Sequence, residues 1–203
     1  MIKAIIFDVG GTLMNVKIED ILNDLARSLT VDPNSLNSLY REYKKDISET
    51  MVFERISSKG FATLIKKTFD LYISIDQIIS VWKDLYPKSF PINIELVKFA
   101  DKLKSNYKVG IVSSAMDIHY QLLEKDIYSH FDPVVISGEV GFIKPQKQIF
   151  EIVLKKLSLR SYECVFIDDR TENLSVPKQM GFHIIHFQNN KQLFKELKKL
   201  GIN

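Results

Sequence analysis

Apolar residues recur along this chain in two rhythms. Five short runs, Ala4–Phe7, Val109–Val112, Val134–Ile136, Val165–Ile167 and Ile184–Phe187, are almost continuously apolar and rich in β-branched side chains. Continuous rather than alternating apolar character predicts strands covered on both faces, as in a parallel sheet. Between the later runs the spacing becomes helical. Ile94, Val97, Phe99, Ala100 and Leu103 mark one helix, Ile149, Ile152, Val153 and Leu157 another, and Leu193, Phe194, Leu197 and Leu200 a last one. Strand alternating with helix predicts an α/β fold built on a doubly wound parallel sheet.

The stretch from Val16 to Pro87 departs from that alternation. Its apolar positions (Ile18, Ile21, Leu22, Leu25; Leu36, Leu39, Tyr43; Phe61, Leu64, Ile65, Phe69) are helically spaced, and it contains no convincing strand. A helical insert after the first strand predicts a small lobe, 16–87, above the sheet's carboxyl edge, with 1–15 and 88–203 as the core domain. Pro87 and Pro91 read as the return hinge, because proline resists helix on either side of itself.

Composition narrows the function. The 203 residues are 45% hydrophobic and 26% charged, which is enough apolar matter for a core and a modest lobe. Twenty-eight basic against 25 acidic residues is too small and dispersed an excess for a nucleic-acid surface. The basic stretch Lys191–Lys199 reads as the solvated face of the terminal helix. The single cysteine, Cys164, excludes an internal disulfide and reads as a small buried side chain. The apolar start, Met1–Phe7, is cut off by Asp8, so neither a signal peptide nor a membrane span is read there. A soluble, cytoplasmic protein is expected.

Chemistry gathers where the strands end. The first runs into Asp8-Val9-Gly10-Gly11-Thr12, a carboxylate followed by glycines whose backbone can approach an anion closely. The second is followed by Ser113-Ser114, hydroxyls that could hold phosphate oxygens or cap the helix beginning near Met116. No G-x-S-x-G surrounds them, which disfavours a serine hydrolase. After the third comes Ser137-Gly138-Glu139-Val140-Gly141-Phe142-Ile143-Lys144-Pro145, with Lys144 kept out of helix by its proline. The fourth ends in Asp168-Asp169, with Asn173 shortly after. Singly, each segment has an ordinary structural explanation. Together they bring a nucleophile, phosphate donors, a charge-balancing lysine and carboxylates suited to hard Mg²⁺ to one sheet edge, as metal-assisted phosphoryl transfer requires.

Those four segments, in this order, resemble motifs I to IV of the haloacid dehalogenase superfamily, and the helical insert resembles its C1-type cap. Within the superfamily the chain is most similar to a subgroup that includes α-D-glucose-1-phosphate phosphatases, with Glu54-Arg55-Ile56-Ser57 a further echo in the cap. The resemblance implies a HAD-like Rossmannoid core and a Mg²⁺-dependent phosphatase acting on a small phosphorylated metabolite through an aspartyl phosphate on Asp8. It implies Asp8 as nucleophile and metal ligand, with the Gly10 carbonyl and Asp169 as further ligands and Asp168 supporting the metal. Gly11, Thr12, Ser113 and Ser114 are implied to contact phosphate. Lys144 would bridge Asp8 and phosphate, and Asn173 would steady the last loop.

Two departures from the family pattern bear on activity. Many phosphatases of the superfamily carry a second Asp where this chain has Gly10, and that residue protonates the leaving oxygen. Ser114 stands where Asn is common. Three rivals follow: a 2-haloacid dehalogenase, which the Asp168-Asp169 pair argues against; a phosphonate hydrolase using Lys44, Lys45 or Lys59 to form an imine; and a non-catalytic phospholigand sensor. Phe53, Arg55, Arg41 and Lys44 are the cap residues named for specificity, with Arg41 and Arg55 read first as lobe surface.

Overall fold

The computed structural model describes residues 1–15, 18–50, 57–85, 91–123 and 127–202, with 46–50 described in backbone alone. Five parallel strands, β1 (Ala4–Phe7), β2 (Lys108–Ser113), β3 (Val134–Ile136), β4 (Cys164–Asp168) and β5 (His183–His186), lie in the order β3-β2-β1-β4-β5. The chain winds outward from β1 to β3, then crosses back to lay β4 on the other side of β1. That reversal is a topological switch point, where open α/β sheets bind ligands beyond their strand ends.

Alternation along each strand sends side chains to two covered faces. Ile5, Phe7, Val109, Ile111, Val165 and Ile167 join one apolar cluster, while Ala4, Ile6, Val112, Val135, Cys164 and Phe166 join the other. Helices α5 (Ile94–Leu103) and α10 (Asn190–Lys199) cover the first face through Leu96, Ala100, Leu193 and Leu197, and α6 (Asp117–Leu123) adds Ile118. Helix α8 (Lys147–Leu157) covers the second face with Ile149, Phe150 and Val153, and α9 (Thr171–Gln179) adds Leu174. Burial on both sides is why the strands read as unbroken apolar runs. Cys164 is fully buried, as its apolar neighbours predict.

Boundaries moved where a pairing partner was available. β2 extends through Ser113 because Ser113 pairs with Ile136, and β4 takes in Asp168 opposite His186. β5 starts one residue earlier than predicted. Ser137–Val140, directly after the third strand, closes one turn of helix α7 that ends at Gly141 with φ 77°.

Between β1 and α5 the described insert is helical, as its spacing predicts: α1 (Ile18–Leu29), α2 (Pro33–Thr50), α3 (Ser58–Thr68) and α4 (Ile75–Leu85). Proline opens α2, where a missing N–H costs nothing, and Asp32 accepts from Ser35 N at 2.8 Å. Ser57 caps α3 by accepting from Gly60 N at 3.0 Å. Phe61 packs on Tyr40, Tyr43 and Trp82 with centroids 5.1–5.6 Å apart, and Trp82 meets His119 of α6 at 5.7 Å. The apolar cluster of the first sheet face therefore continues into the insert. Residues Val16, Phe53, Glu54, Arg55, Ile56 and Pro87 lie outside the described residues. No described helix is long and apolar enough to cross a membrane.

Candidate active site

Register builds the site. Phe7 pairs with Ile167 on β4, so the next residues, Asp8 and Asp168, stand side by side beyond the switch point. Asp8 N donates to Ile167 O at 2.9 Å, locking that alignment. Lys144 arrives from the loop after α7; its Nζ donates to Asp8 Oδ1 and, at 2.6 Å, to Asp168 Oδ2. All three side chains are buried.

The two adjacent carboxylates have different surroundings. Asp168 accepts from Lys144, from Asn173 Nδ2 at 3.0 and 3.1 Å, and from the Arg170 amide at 2.9 Å, so both its oxygens are occupied. Asp169 Oδ1 is buried and has no hydrogen-bond partner among the described residues. His186 of β5 holds the Asp169 backbone instead, its Nε2 lying 2.9 Å from Asp169 O. Gly11, at φ 83°, lies so close that a Cβ there would collide with the Asp169 carboxylate. A positive φ and a close approach both require glycine at this position.

Oxygens of Asp8, Asp168 and Asp169 lie within 4.8 Å of one another. Three carboxylates against one ammonium leave two uncompensated negative charges in a desolvated place. Burial, helped by the charges of Asp168 and Asp169 and opposed by Lys144, pushes the Asp8 carboxyl up to about 7. Burial and Asp168 likewise raise Asp169. Burial works against the Lys144 ammonium, but Asp8 and Asp168 outweigh it and hold its pKa above the ordinary lysine value. A hard divalent cation with oxygen ligands fits this donor set: it cancels the excess charge and gives Asp169 Oδ1 a partner.

A cleft of about 670 Å³ opens over the cluster. Of the site residues singled out at the strand ends, Asp8, Gly10, Gly11, Ser113, Ser114, Lys144, Asp169 and Asn173 line it and Thr12 and Asp168 do not; of the described cap candidates, Arg41, Lys44 and Lys45 line it and Lys59 does not. Asp168 stands behind Lys144, and the buried Thr12 Oγ1 has no described partner. The Gly11 amide is spent on Met14 O at 2.7 Å and the Thr12 amide on Val9 O at 3.3 Å, whereas no described residue accepts from the amides of Val9 and Gly10. Ser114 Oγ accepts from Lys144 N at 3.1 Å, and Ser137 Oγ donates to Ser113 O at 3.2 Å, so the strand-end loops brace one another.

Besides the Trp82 contact with His119, described residues of the insert reach this floor by hydrogen bonds from α2 and α3. Lys44 Nζ of α2 donates to Ser114 O at 3.2 Å, and Asp117 at the start of α6 accepts from Ser58 N of α3 at 2.7 Å. Tyr40, His119, Tyr128 and Arg170 also line the cleft. Of these, Arg170 directly follows Asp168-Asp169 and Tyr40 directly precedes the cap candidate Arg41, so both had a neighbouring signal in the sequence. The others arrive there through packing.

Comparison with known proteins agrees with this architecture. A family model described as haloacid dehalogenase-like hydrolase matches residues 2–181. The chain is similar to D-ribitol-5-phosphate phosphatase from Bacteroides thetaiotaomicron, at 19% identity over 97% of each chain. It is also similar to glyceraldehyde 3-phosphate phosphatase from Methanocaldococcus jannaschii, at 23% identity over 94% of this chain and 87% of that one. Among solved structures, a haloacid dehalogenase family enzyme from B. thetaiotaomicron in complex with magnesium and inorganic phosphate superposes with TM-score 0.76, at 20% identity, over 96% of this chain and all of that one. A predicted HAD-like family hydrolase from Porphyromonas gingivalis gives TM-score 0.78 at 20% identity, covering 100% and 99%. With the match running from the first strand to the end of the last crossover helix, this chain belongs to the haloacid dehalogenase-like hydrolases.

Proposed function

We propose that this protein is a Mg²⁺-dependent phosphatase of a small phosphorylated metabolite, working through a phosphoryl group held transiently on Asp8. The observation that carries the reading is the contrast between the two neighbouring carboxylates: Asp168 is saturated by protein donors, while Asp169 Oδ1 stands open beside Asp8. Two relatives named as phosphatases of sugar or polyol phosphates support it, as does the structural neighbour holding magnesium and phosphate.

In this reading Asp8 Oδ attacks phosphorus, the P–O bond to the alcohol breaks, and the alcohol oxygen leaves with its electron pair and takes a proton from solvent water, which the attacking water of the second step returns. Water then attacks phosphorus, cleaving the acyl phosphate to phosphate and regenerating Asp8. Asp8, the Gly10 carbonyl and Asp169 would hold Mg²⁺, which when bound supplies the positive charge that lets a carboxylate approach a phosphate. Lys144 draws Asp8 toward its ionised form and orients it, and its ammonium faces the developing negative charge. Asp168 and Asn173 fix Lys144 and the last loop. The amides of Val9 and Gly10, with Ser113 and Ser114, are the phosphate donors, and Gly11 contributes by letting Asp169 come close. The helical insert, 16–87, serves as the cap over the reacting group.

Phosphate release from p-nitrophenyl phosphate and a panel of phosphorylated sugars, polyols and acids in Mg²⁺ buffer tests the reading. Asp8→Asn should abolish turnover without unfolding the protein, since an amide cannot attack phosphorus. Substantial phosphatase activity in folded Asp8→Asn protein would sink the covalent route.

A further inference from the structure

Outside the acidic cluster and Lys144, the described lining of the cleft carries six charged side chains: Glu19, Arg41, Lys44, Lys45, Arg170 and Glu172. Arg170 is engaged by Glu172, with nitrogen and oxygen 2.5 Å apart. Arg41, Lys44 and Lys45 all lie on α2, and Glu19 is the remaining described carboxylate of the lining. Among the described residues, the α2 side of the cleft therefore carries more cations than carboxylates.

Lys44 is the most constrained of the three. Its partly buried ammonium has one hydrogen bond, to Ser114 O, and no carboxylate partner among the described residues. Two of its N–H donors are left over. A buried cation without a counter-charge is costly, and an anion arriving with substrate removes that cost. Burial above all, with the like charges of Arg170 and Lys144 and against the pull of Asp8, pushes its pKa down to about 8. Arg41 stands three residues earlier on α2, on the same helix face. It lines the cleft from an exposed position, its Nε donating to Asn37 O at 3.3 Å, and its terminal nitrogens form a planar fork suited to a carboxylate or phosphate. The cleft's 670 Å³ also falls in the range of roughly 300–1,000 Å³ that takes a small organic ligand, well beyond a phosphate ion alone.

We infer that the leaving group of the substrate carries a second anion, held by Lys44 and Arg41 of α2 while its phosphoryl group sits at Asp8. This rests on the phosphatase reading and narrows it to small phosphorylated acids or bisphosphates, whose shared feature is an anion at the end remote from the scissile bond. Lys44 and Arg41 are specificity residues here, contacting the group that departs rather than the phosphorus.

The test measures kcat and KM in Mg²⁺ buffer for two matched pairs, glycerol phosphate against phosphoglycerate and a hexose monophosphate against the corresponding bisphosphate, with p-nitrophenyl phosphate as reference. The anionic member of at least one pair should be favoured by about tenfold or more in kcat/KM, and which pair responds tells carboxylate from phosphate. In Lys44→Met and Arg41→Met that preference should collapse, mainly through KM, with thermal melting used to verify folding. Preference for the neutral members would overturn the inference alone, as would a Lys44→Met that slows every compound in equal proportion, since Lys44 would then serve the transferred phosphoryl group. No phosphate release from any compound, p-nitrophenyl phosphate included, would overturn the phosphatase reading and this inference with it.

Discussion

At the scale of single residues, two identical side chains one position apart face different demands. Asp168 is enclosed by Lys144, Asn173 and the Arg170 amide, and its removal would leave buried donors unmatched. Asp168→Ala should therefore destabilise the protein by about 2–3 kcal/mol, seen as a drop in Tm of roughly 5–10 °C. Asp169→Asn should leave Tm in metal-free buffer unchanged or raised, because it removes one like charge from the cluster, yet it should lose nearly all activity. Paired melting curves and Mg²⁺-dependent rates check both halves; a stable, fully active Asp169→Asn would contradict the assignment of the open oxygen. Gly10 sets a second expectation. With no carboxylic acid there to protonate the departing oxygen, help worth about 10²–10⁴-fold is missing, and poor leaving groups should suffer most. An anomeric hexose phosphate should then be hydrolysed faster than the primary phosphate of the same hexose, and Gly10→Asp should narrow the gap. Preference for the primary phosphate, unaltered in Gly10→Asp, would end that account.

At the scale of elements, α2 joins stability to recognition through one side chain. An ordinary lysine keeps its proton until about pH 10.5, whereas Lys44 in the folded protein gives it up near 8. Below that lower value both folded and unfolded chains carry the proton, and the folded chain bears the full penalty of a buried charge. Between the two values the unfolded chain binds more protons, so stability rises with pH. Lys44→Met should consequently stabilise the protein at neutral pH by on the order of 1–2 kcal/mol, a gain that fades as pH approaches 10. Thermal melts of wild type and variant across that range measure it, and a destabilised variant at neutral pH would show that the packing of the lysine stem matters more than its charge. Elements also explain the legibility of the fold. Strand runs and helical periods were readable because both sheet faces are buried and each helix shows one stripe to them. The last residue of β2 and of β4 was not, because Ser113 and Asp168 are polar and owe their strand conformation to partners across the sheet.

At the scale of the whole molecule, the excess negative charge at the switch point ties cation binding to folding. A cation that binds only the folded chain adds about 2.7 kcal/mol at a hundredfold excess over its Kd. Chelation should therefore abolish turnover and lower Tm, Mg²⁺ should restore both, and Asp169→Asn should lose the thermal response to Mg²⁺. Differential scanning fluorimetry with and without Mg²⁺ reads this without recourse to activity, and full hydrolysis in metal-free buffer would favour the dehalogenase-like alternative.

By itself the sequence determined the alternation of strands and helices, the placing of the helical insert and the residues that end each strand, since these follow from local periodicity and from chemistry adjacent in the chain. It also named residues that the fold gathers at the candidate site: Asp8, Ser113, Lys144 and the Asp168-Asp169 pair. Only the tertiary structure decided how those residues divide their tasks. Which carboxylate is saturated, that Gly11 spends its amide on Met14 while making room for Asp169, and that Lys44 comes down onto Ser114 70 residues away all depend on distances between segments remote in sequence. Periodicity reports which face of an element is buried; it carries no information about what the opposing segment brings to meet it.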